Sequence, residues 1–497
     1  MAPIFHGTIQ VRDHHLENFS DSMHHQTITP LVTIILAAGK GTRMNTSLPK
    51  VLHNLGGRSL LDHVLKTAVS LGTGKVIVVA GHGAEAIRKI ISEKNGDLEV
   101  VIQEPQLGTG HAVSQCLDML SGFHGTVVVL SGDVPGLQSE TVRNLARVRI
   151  DNQASISVLT GRLEDPSGYG RIIRQPDGAI QEIREQKDLS EEQGNIKEVN
   201  LGVYAFDASF LSRELPKIDS ENAQGEYYLT DLIKVAAGSG SGVVSHSAAD
   251  HTEALGINTL EELSGVGKMT NRRYLEKLMS SGVQILDPDQ TWIEDTVTVE
   301  PDTTIHPMVF LRGATKIGAG SVINPGSVIT DSNLGARVEI RPYCVITDSS
   351  IADDAAVGPF AHLRPGTDIG PWARIGNYVE IKKAVIGEGS KVSHLTYVGD
   401  AELGQDVNIG AGCVTCNYDG FSKFKTVIED GVFVGSGTMM VAPITLGKGS
   451  LVAAGSTLTK DVPPDALAVA RGQQSNKEGW AAARREKITK KSKKEKS

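Results

Sequence analysis

The chain has 497 residues, a formal net charge of −9 and 54 glycines, beside only 4% aromatic residues. A negative field of this size argues against general nucleic-acid binding but leaves room for a local cationic pocket. Four cysteines in so long a chain form no disulfide framework, and no apolar run approaches the ~18 residues of a membrane span. The start of the chain lacks a secretory leader, and we therefore expect a cytoplasmic protein.

The two ends of the chain differ in composition from the rest. Residues 1–31 are polar and carry five histidines in spacings that match no ligand pattern, so we favour a disordered extension over a metal site. Residues 473–497 are rich in Lys and Arg and indicate a solvated basic tail, since nothing else in the chain supports nucleic-acid or membrane contact. Cys413 and Cys416 form a lone CxxC without a second pair, which disfavours zinc.

From Val32 onward, apolar strand patterns alternate with helical patterns. Strand-like runs are VTIIL, KVIVVAG, LEVVIQ and TVVVLSGDVP, and helical spacing occurs in LLDHVLKTAVSLG and AEAIRKIISEKNG. This alternation is typical of a wound α/β domain with a parallel sheet, and we assign it residues 32–258. Residues 259–283 are predicted to form a mostly helical linker.

After residue 284 the helical period gives way to an aliphatic residue at every sixth position. The first members are Val299, Ile305, Leu311, Ile317 and Ile323, and a Gly or Ala often follows such a residue. A six-residue period is typical of a parallel β-helix, in which each turn places its aliphatic side chains in a central prism. We assign this domain residues 284–472, with an interrupting loop at 415–426. It accounts for the glycine excess and the scarcity of aromatic residues.

The stretch LAAGKGTRMNTSLPKVLH, residues 36–53, follows the first predicted strand. It is not a Walker A loop, because the required G-x4-G-K-[ST] spacing is missing. It is not a dinucleotide fingerprint either, because Met44 stands where the third glycine belongs. What remains is a Gly-x-Gly-Thr-Arg turn, whose backbone N–H groups can approach phosphate oxygens while Arg43 and Lys50 supply positive charge.

Several motifs in both halves together resemble one known family. LAAGKGTRM…LPK, QLGTGHA, GDVP, DPSGYGRI and QGEYYLTD are similar to the signature of sugar-nucleotide pyrophosphorylases. FAHLRPGT, VEIKKAVIGEGSKVSHLTYVGDAE, NIGAGCVTCNYDG and KFKT extend the likeness to the bifunctional bacterial N-acetylglucosamine-1-phosphate uridyltransferase / glucosamine-1-phosphate N-acetyltransferase family. The resemblance covers about residues 32–480. It implies an α/β Rossmann-like nucleotidyltransferase domain followed by a left-handed parallel β-helix of hexapeptide repeats.

The resemblance implies that the first domain makes UDP-N-acetylglucosamine and pyrophosphate from UTP and N-acetylglucosamine 1-phosphate, a precursor for peptidoglycan and lipopolysaccharide. Asp133 and Asn258 match the ligands of Mg²⁺, and Gln103 suits base recognition because an amide both donates and accepts. The positions that match nucleotide and sugar contacts are Leu36, Ala37, Ala38, Gly39, Arg43, Lys50, Gln103, Gly108, Thr109, Ser131, Gly132, Asp133, Gly170, Glu185, Asn200 and Asn258. Two departures affect contact detail: Ser131 replaces a common Tyr, and Leu201 replaces a common Thr.

For the second domain the resemblance implies acetyl transfer from acetyl-CoA to glucosamine 1-phosphate. His394 matches the general base and Glu380 the carboxylate that orients it. The positions that match the sugar phosphate site are Arg364, Lys382, Tyr397 and Asn408, and those that match the acetyl-CoA site are Ala411, Asn417, Tyr418, Ser436, Ala454 and Arg471. In the family such sites lie between neighbouring β-helices, which implies a homotrimer.

Two alternatives to a bifunctional enzyme stay open at this point. One is a single-function nucleotidyltransferase whose β-helix only trimerises the chain, and the other is a sugar-nucleotide-binding scaffold with a dead site. The joint presence of His394, Glu380 and Lys382 favours two activities over the first, because a structural repeat does not need them. Intact Asp133 and Lys50 argue against the second.

Overall fold

The structure is a computed structural model that describes residues 30–39, 41–92 and 97–494. Residues 1–29 of the expected disordered extension therefore lie outside the described residues. So do residues 93–96 of one predicted helix and residues 495–497 of the basic tail. The chain divides into two units, the first formed by 30–39 and 63–256 and the second by 41–62 and 257–494. Residues 41–62, which the sequence analysis gives to the first domain, pack within the second unit, where Arg58 Nε lies 2.7 Å from Asp295 Oδ1.

Up to residue 256 strands and helices alternate, as the sequence predicts. In chain order they are β1 (Leu31–Ala37), β2 (Asn54–Leu55), β3 (Arg58–Ser59), α1 (Leu60–Ser70), β4 (Lys75–Ala80), α2 (Ala84–Ser92), β5 (Leu98–Ile102), α3 (Thr109–Ser114), β6 (Thr126–Ser131), α4 (Ser139–Asp151), β7 (Ile156–Arg162), β8 (Arg171–Arg174), β9 (Ile180–Arg184), α5 (Glu191–Gly194), β10 (Glu198–Asp207), α6 (Ala208–Glu214), α7 (Asp231–Gly238) and β11 (Val243–Ser247).

The first unit is built on one sheet of nine strands with the main order β11-β7-β10-β6-β1-β4-β5. β1 pairs in parallel with both β4 and β6, and β4 pairs in parallel with β5. Their almost continuous apolar runs are typical of strands buried on both faces. The parallel core agrees with the predicted wound sheet, and β10 adds an antiparallel strand to it, beside β6 and β7. The chain reaches β10 through the β8–β9 hairpin and so needs no long crossover helix.

The second unit begins with a linker helix and continues as short strands. From residue 257 the elements are α8 (Leu260–Ser280), β12 (Gln284–Ile285), β13 (Trp292–Ile293), β14 (Thr298–Val299), β15 (Thr304–Ile305), β16 (Phe310–Arg312), β17 (Lys316–Ile317), β18 (Val322–Ile323), β19 (Val328–Thr330), β20 (Asn333–Leu334), β21 (Glu339–Ile340), β22 (Val345–Thr347), β23 (Ser349–Ile351), β24 (Ala356–Val357), β25 (His362–Leu363), β26 (Thr367–Ile369), β27 (Arg374–Asn377), β28 (Glu380–Ile386), β29 (Lys391–His394), β30 (Tyr397–Leu403), β31 (Asn408–Ile409), β32 (Val414–Cys416), β33 (Thr426–Ile428), β34 (Phe433–Val434), β35 (Met439–Val441), β36 (Ile444–Leu446), β37 (Leu451–Val452), β38 (Thr457–Leu458), β39 (Leu467–Ala468) and α9 (Trp480–Lys494).

These short strands stack in parallel, coil upon coil, and form the left-handed β-helix that the sequence predicts. The sixth-position residues are buried: Ile305 and Ile323 face each other in register, and Val299, the most accessible of the first five, is 9% exposed. Burying each such side chain contributes about 1.5–3 kcal/mol, so the prism is held by a repeated hydrophobic stack. The predicted loop at 415–426 is confirmed for residues 417–425, which leave the stack between β32 and β33 with Phe421 94% exposed. Residues 415, 416 and 426 belong to those two strands.

The basic C-terminal segment is not only an extended tail. Its residues from Trp480 to Lys494 form helix α9, which is exposed as far as Lys491. A run of Ala, Arg and Lys favours a helix even without packing, and Lys490 adds an ion pair with Glu486 one turn away. Among the described residues, no helix has both the length and the apolar character that crossing a bilayer requires.

Glycines in the β-helix allow successive coils to approach closely. A Cβ atom on Gly387 would lie 2.2 Å from the carbonyl oxygen of Gly404 in the next coil, a separation that forces the backbone to shift. A Cβ atom on Gly472, by contrast, would meet no atom within 4 Å.

We therefore expect Gly387→Ala to destabilise the β-helix by about 1–3 kcal/mol, because overpacking strains two stacked coils. Thermal unfolding followed by circular dichroism measures this as a lowered unfolding temperature, with Gly472→Ala as the matched control. Equal unfolding temperatures for the two variants would contradict the close approach of these coils.

Candidate functional sites

The first candidate site lies at the carboxyl ends of the parallel strands in the first unit. Leu36 of β1 pairs with Ser131 of β6, and the backbone N–H of Gly132 donates to the Leu36 carbonyl at 2.9 Å. This register brings the predicted residues Leu36–Gly39 together with Ser131–Asp133. In open α/β sheets the ligand crevice lies outside the carboxyl ends of the strands, which is where these residues lie.

Gln103 extends this crevice at the end of β5. Its backbone N–H donates to the Ala80 carbonyl at the end of β4, at 2.8 Å, and its side chain is buried. Gly108 has a φ of 105°, and a Cβ there would lie 2.6 Å from the Tyr227 carbonyl oxygen. Thr109 Oγ1 accepts from the Leu229 N–H at 3.0 Å. The structure thus groups Gln103, Gly108 and Thr109 on one docked loop.

The residues predicted to contact the sugar also lie close together. The Asn200 N–H donates to the Gly170 carbonyl at 2.9 Å, and a Cβ on Gly170 would lie 3.3 Å from Glu185 Oε2. Thr230 Oγ1 donates to Glu185 Oε1 at 3.1 Å. Burial raises the pKa of the Glu185 carboxyl, and nearby Asp231 adds to that shift, while the Thr230 bond opposes it. These groups form a polar pocket that suits sugar hydroxyls.

The structure places the two departures from the family pattern differently. Ser131 Oγ would lie 3.4 Å from a Cβ on Gly202, so its hydroxyl faces the turn that follows Asn200. Leu201 is buried, and its Cδ1 would lie 3.0 Å from a Cβ on Gly161. The Leu201 side chain therefore packs in the core.

Two predicted phosphate contacts converge on Asn258 within the second unit. Arg43 Nη2 donates to Asn258 Oδ1 at 2.7 Å and Lys50 Nζ donates to the same oxygen at 3.1 Å. The Asn258 N–H donates to Glu262 Oε2, which also completes a capping box with Thr259 at the start of α8. A helix start and two cations therefore fix the position of Asn258.

Asp133 and Asn258 offer the ligand type that the predicted metal requires. Asp133 follows β6 in the first unit, and Asn258 precedes α8 in the second. Carboxylate and amide oxygens are the donors that Mg²⁺ prefers, and Mg²⁺ commonly takes few protein ligands beside phosphates. Within the described ranges no cluster of three or more His, Cys, Asp or Glu residues occurs.

The second candidate site lies on the β-helix around His394. The ring nitrogen Nδ1 of His394 lies 3.1 Å from Asn377 Oδ1, its neighbour in the preceding coil. Among the described residues the side-chain partner of Glu380 is Arg364, and the role of Glu380 in orienting His394 stays a prediction. Glu380 Oε1 accepts from Arg364 Nη1 at 2.7 Å. His394 ends a strand of the 11-stranded sheet, whereas Glu380 begins a strand of the 17-stranded sheet.

Three cations, Arg364, Lys382 and Lys423, gather on the same β-helix. The pKa of Lys382 is lowered, first by the neighbouring Lys423 and then also by Arg364, while Asp400 opposes the shift. Such mutual repulsion creates an anion-binding position, because an anion relieves it. Lys423 is a residue that the sequence analysis missed, although it belongs to the quoted KFKT motif. Asn377 was missed as well, and the 17-residue coil spacing to His394 could have identified it.

The other predicted substrate residues lie on neighbouring strands and on the excursion loop. Asn417 Nδ2 donates to Asp400 Oδ2 at 2.5 Å, which anchors the start of the excursion loop. Tyr397 stands beside Glu380 in the next coil, and its hydroxyl would lie 2.3 Å from a Cβ on Gly399. Asn408 opens β31, which pairs with the strand of His394. The exposed Tyr418 lies further along the loop.

The remaining positions predicted for acetyl-CoA form a line along the stack. The Gly437 N–H donates to the Ala411 carbonyl at 2.8 Å, and the Gly455 N–H donates to the Ser436 carbonyl at 2.8 Å. Arg471 Nη1 donates to the Ala454 carbonyl at 2.9 Å. Consecutive coils thus place Ala411, Ser436, Ala454 and Arg471 one above another, a length of surface that suits an extended ligand.

Two family models and several known bacterial proteins match this chain. Residues 33–195 match the family described as MobA-like NTP transferase domain, and residues 425–460 match the hexapeptide repeat of succinyl-transferase. The bifunctional protein GlmU of Trichlorobacter lovleyi is 48% identical over 453 residues, which cover 91% of this chain and 98% of that protein.

Two further relatives extend this likeness to other bacteria. The bifunctional protein GlmU of Geobacter metallireducens is 47% identical over 473 residues, with 92% of this chain and 99% of that protein covered. The bifunctional protein GlmU of Corynebacterium efficiens is 46% identical over 456 residues, which cover 91% of this chain and 94% of that protein. The chain therefore belongs to the family of bifunctional GlmU proteins, enzymes that combine a nucleotidyltransferase with an acyltransferase.

Proposed function

We propose that the residues assembled at the two sites carry two consecutive reactions on one amino sugar. The chain synthesises UDP-N-acetylglucosamine: it transfers an acetyl group from acetyl-CoA to glucosamine 1-phosphate, then a uridylyl group from UTP to the acetylated product. The observations that carry the residue assignment are the cluster of Arg364, Lys382 and Lys423 and the pair of His394 with Asn377 on the same β-helix. A β-helix that only trimerises the chain needs no such cluster.

In the uridylyl transfer, the oxygen of N-acetylglucosamine 1-phosphate attacks the α-phosphorus of UTP and pyrophosphate leaves. Because all reacting groups are anionic, catalysis consists mainly of positioning and charge neutralisation. Arg43 and Lys50 contact the phosphates, Gln103 recognises the base, and Glu185 with Asn200 holds the sugar. The nucleotidyltransferase family uses a divalent metal ion, and we assign Mg²⁺ to Asp133 and Asn258, where it would supply further charge neutralisation.

In the acetyl transfer, the amine of glucosamine 1-phosphate attacks the thioester carbon of acetyl-CoA. The N–C bond forms, the C–S bond breaks, and CoA leaves as the thiol after taking up a proton. His394 accepts the amine proton at Nε2, since Asn377 Oδ1 holds the proton on Nδ1 and so selects the useful tautomer. Arg364, Lys382 and Lys423 bind the sugar phosphate, and Glu380 positions Arg364 through their 2.7 Å hydrogen bond.

A homotrimer would cover an exposed apolar stripe at one corner of the β-helix. Tyr343, Phe360 and Tyr378 stack in successive coils with ring centroids 5.3 Å apart, and Leu395 continues the line. Tyr378 is 56% exposed and Leu395 63% exposed, beside Asn377 and His394 respectively. Exposed apolar surface of this kind marks interfaces, and this stripe borders the catalytic histidine.

The two reactions should be separable by mutation. We expect His394→Ala to lower kcat of acetyl transfer by about 10²–10⁴-fold, because the general base is lost, while uridylyl transfer continues. We expect Asp133→Ala to lower uridylyl transfer while acetyl transfer continues. One assay with glucosamine 1-phosphate, acetyl-CoA, UTP and Mg²⁺ follows free CoA and pyrophosphate, with N-acetylglucosamine 1-phosphate added to test the second step alone. Loss of both activities in either folded variant would contradict two independent sites.

The raised pKa of Glu185 predicts a pH dependence of sugar binding. Its protonated form persists to higher pH than that of an ordinary Glu, so the KM for N-acetylglucosamine 1-phosphate should rise as the pH falls through this titration. In Glu185→Gln this component should vanish, leaving only the titration of the substrate phosphate. Initial rates measured across a range of pH give the KM of the wild type and of Glu185→Gln. The surface variant Glu191→Gln is the control. Parallel KM profiles for wild type and Glu185→Gln would refute the role of Glu185.

The stripe gives a test of the assembly. We expect Tyr378→Lys to reduce the molecular mass of the assembly in solution, because a charge would be buried at the interface. We also expect this variant to lower acetyl transfer more than uridylyl transfer. Trp372→Lys is the matched control, since Trp372 is equally exposed and has the same φ of 54° but lies at a different corner. Light scattering measures the mass. An unchanged mass for Tyr378→Lys would place the interface elsewhere.

A further inference from the structure

The side-chain amide of Gln103 is held in one orientation. Its Nε2 donates to the Gly108 carbonyl oxygen at 2.9 Å and lies 3.1 Å from His111 Nδ1. The side chain is only 4% exposed. Within the part of the chain that the structure describes, Oε1 of this amide receives no hydrogen bond.

The partners of Gln103 fix which end of the amide faces them. The Gly108 carbonyl can only accept, so the atom facing it is the nitrogen and not the oxygen. Nε2 has two protons, and the second goes to His111 Nδ1, which must therefore carry a lone pair. The proton of the neutral ring then lies on Nε2 of His111. The Gln115 Nε2, 3.2 Å from that atom, donates instead to the His111 carbonyl oxygen at 3.2 Å.

The loop that carries both partners is rigid. The Gly110 N–H donates to the Tyr227 carbonyl at 2.8 Å, and the Tyr227 N–H donates to the Leu107 carbonyl at 2.8 Å. The His111 ring lies against the Tyr227 ring, with centroids 6.4 Å apart. These contacts hold the Gly108 carbonyl and the His111 ring in place.

We propose that His111 is a positioning residue that makes Gln103 an acceptor toward the base and so selects uracil over cytosine. With both Nε2 protons engaged, Gln103 offers only Oε1. Uracil presents a donor at N3, which this oxygen satisfies, whereas cytosine presents an acceptor there. Two acceptors facing each other in a buried site are unfavourable, because neither is hydrogen-bonded. The inference rests on the proposed contact between Gln103 and the base.

A pair of variants at one position separates the hydrogen bond from the packing. His111→Phe keeps a ring against Tyr227 but removes the acceptor, whereas His111→Asn removes the ring but can place Oδ1 where Nδ1 was. We expect His111→Phe to lower the ratio of kcat/KM for UTP over CTP by about tenfold or more, mainly through the KM for UTP, as one lost hydrogen bond implies. We expect His111→Asn to restore most of the ratio.

The measurement is pyrophosphate release by the full chain with UTP or CTP, with acetyl transfer as an internal reference for folding. Gln103→Leu is measured alongside. If Gln103→Leu lowers the ratio but His111→Phe leaves it unchanged, or lowers both kcat/KM values equally, the role of His111 is refuted while base recognition by Gln103 stands. If Gln103→Leu itself leaves the ratio unchanged, base recognition by Gln103 is refuted and the inference is lost with it.

Discussion

The vertical register of the β-helix is the constraint on which the second site depends. Each coil stacks its aliphatic residues directly on those of the coil below, as Ile305 does on Ile323, and a slip would expose the whole stack to water. Because the prism fixes the register, residues 17 positions apart in sequence become lateral neighbours. Asn377 and His394 meet in this way. The carbonyls of Ala411, Ser436 and Ala454 likewise meet groups of the next coil, which lie 26, 19 and 17 positions further along the chain. A repeated hydrophobic interaction thus positions polar groups that have no strong attraction of their own.

The first unit solves the same positioning problem with a sheet. Parallel strands bring their carboxyl ends to one edge, where Leu36, Ser131 and Gln103 end up close to one another although they are far apart in sequence. The β8–β9 hairpin and β10 add the sugar pocket at the antiparallel part of the sheet. The antiparallel strand therefore supplies Asn200, beside Gly170, while the parallel strands supply the nucleotide crevice.

Charge in this protein is organised locally against the sign of the whole. The chain carries a net charge of −9, yet both sites gather cations where a phosphate is expected. Arg43 and Lys50 share Asn258 Oδ1, a neutral partner that orders them without cancelling their charge. At the β-helix, Lys382 and Lys423 repel each other enough to lower the pKa of Lys382. An anionic substrate relieves that repulsion, which favours binding of the charged sugar phosphate.

The sequence by itself determined the fold class of both halves, because hydrophobic periodicity is local: alternating apolar and helical patterns predict the wound sheet, and the six-residue period predicts the prism. Motifs also identified the family, and with it the candidate site residues of both domains. Only the tertiary structure decided which side chains meet. In the tertiary structure β10 is antiparallel and residues 41–62 belong to the second unit. His394 pairs with Asn377, and Glu380 pairs with Arg364. Lys423 lies next to Lys382. These pairings depend on strand register and on which face of the prism a residue occupies, and neither is written in the spacing of a single motif.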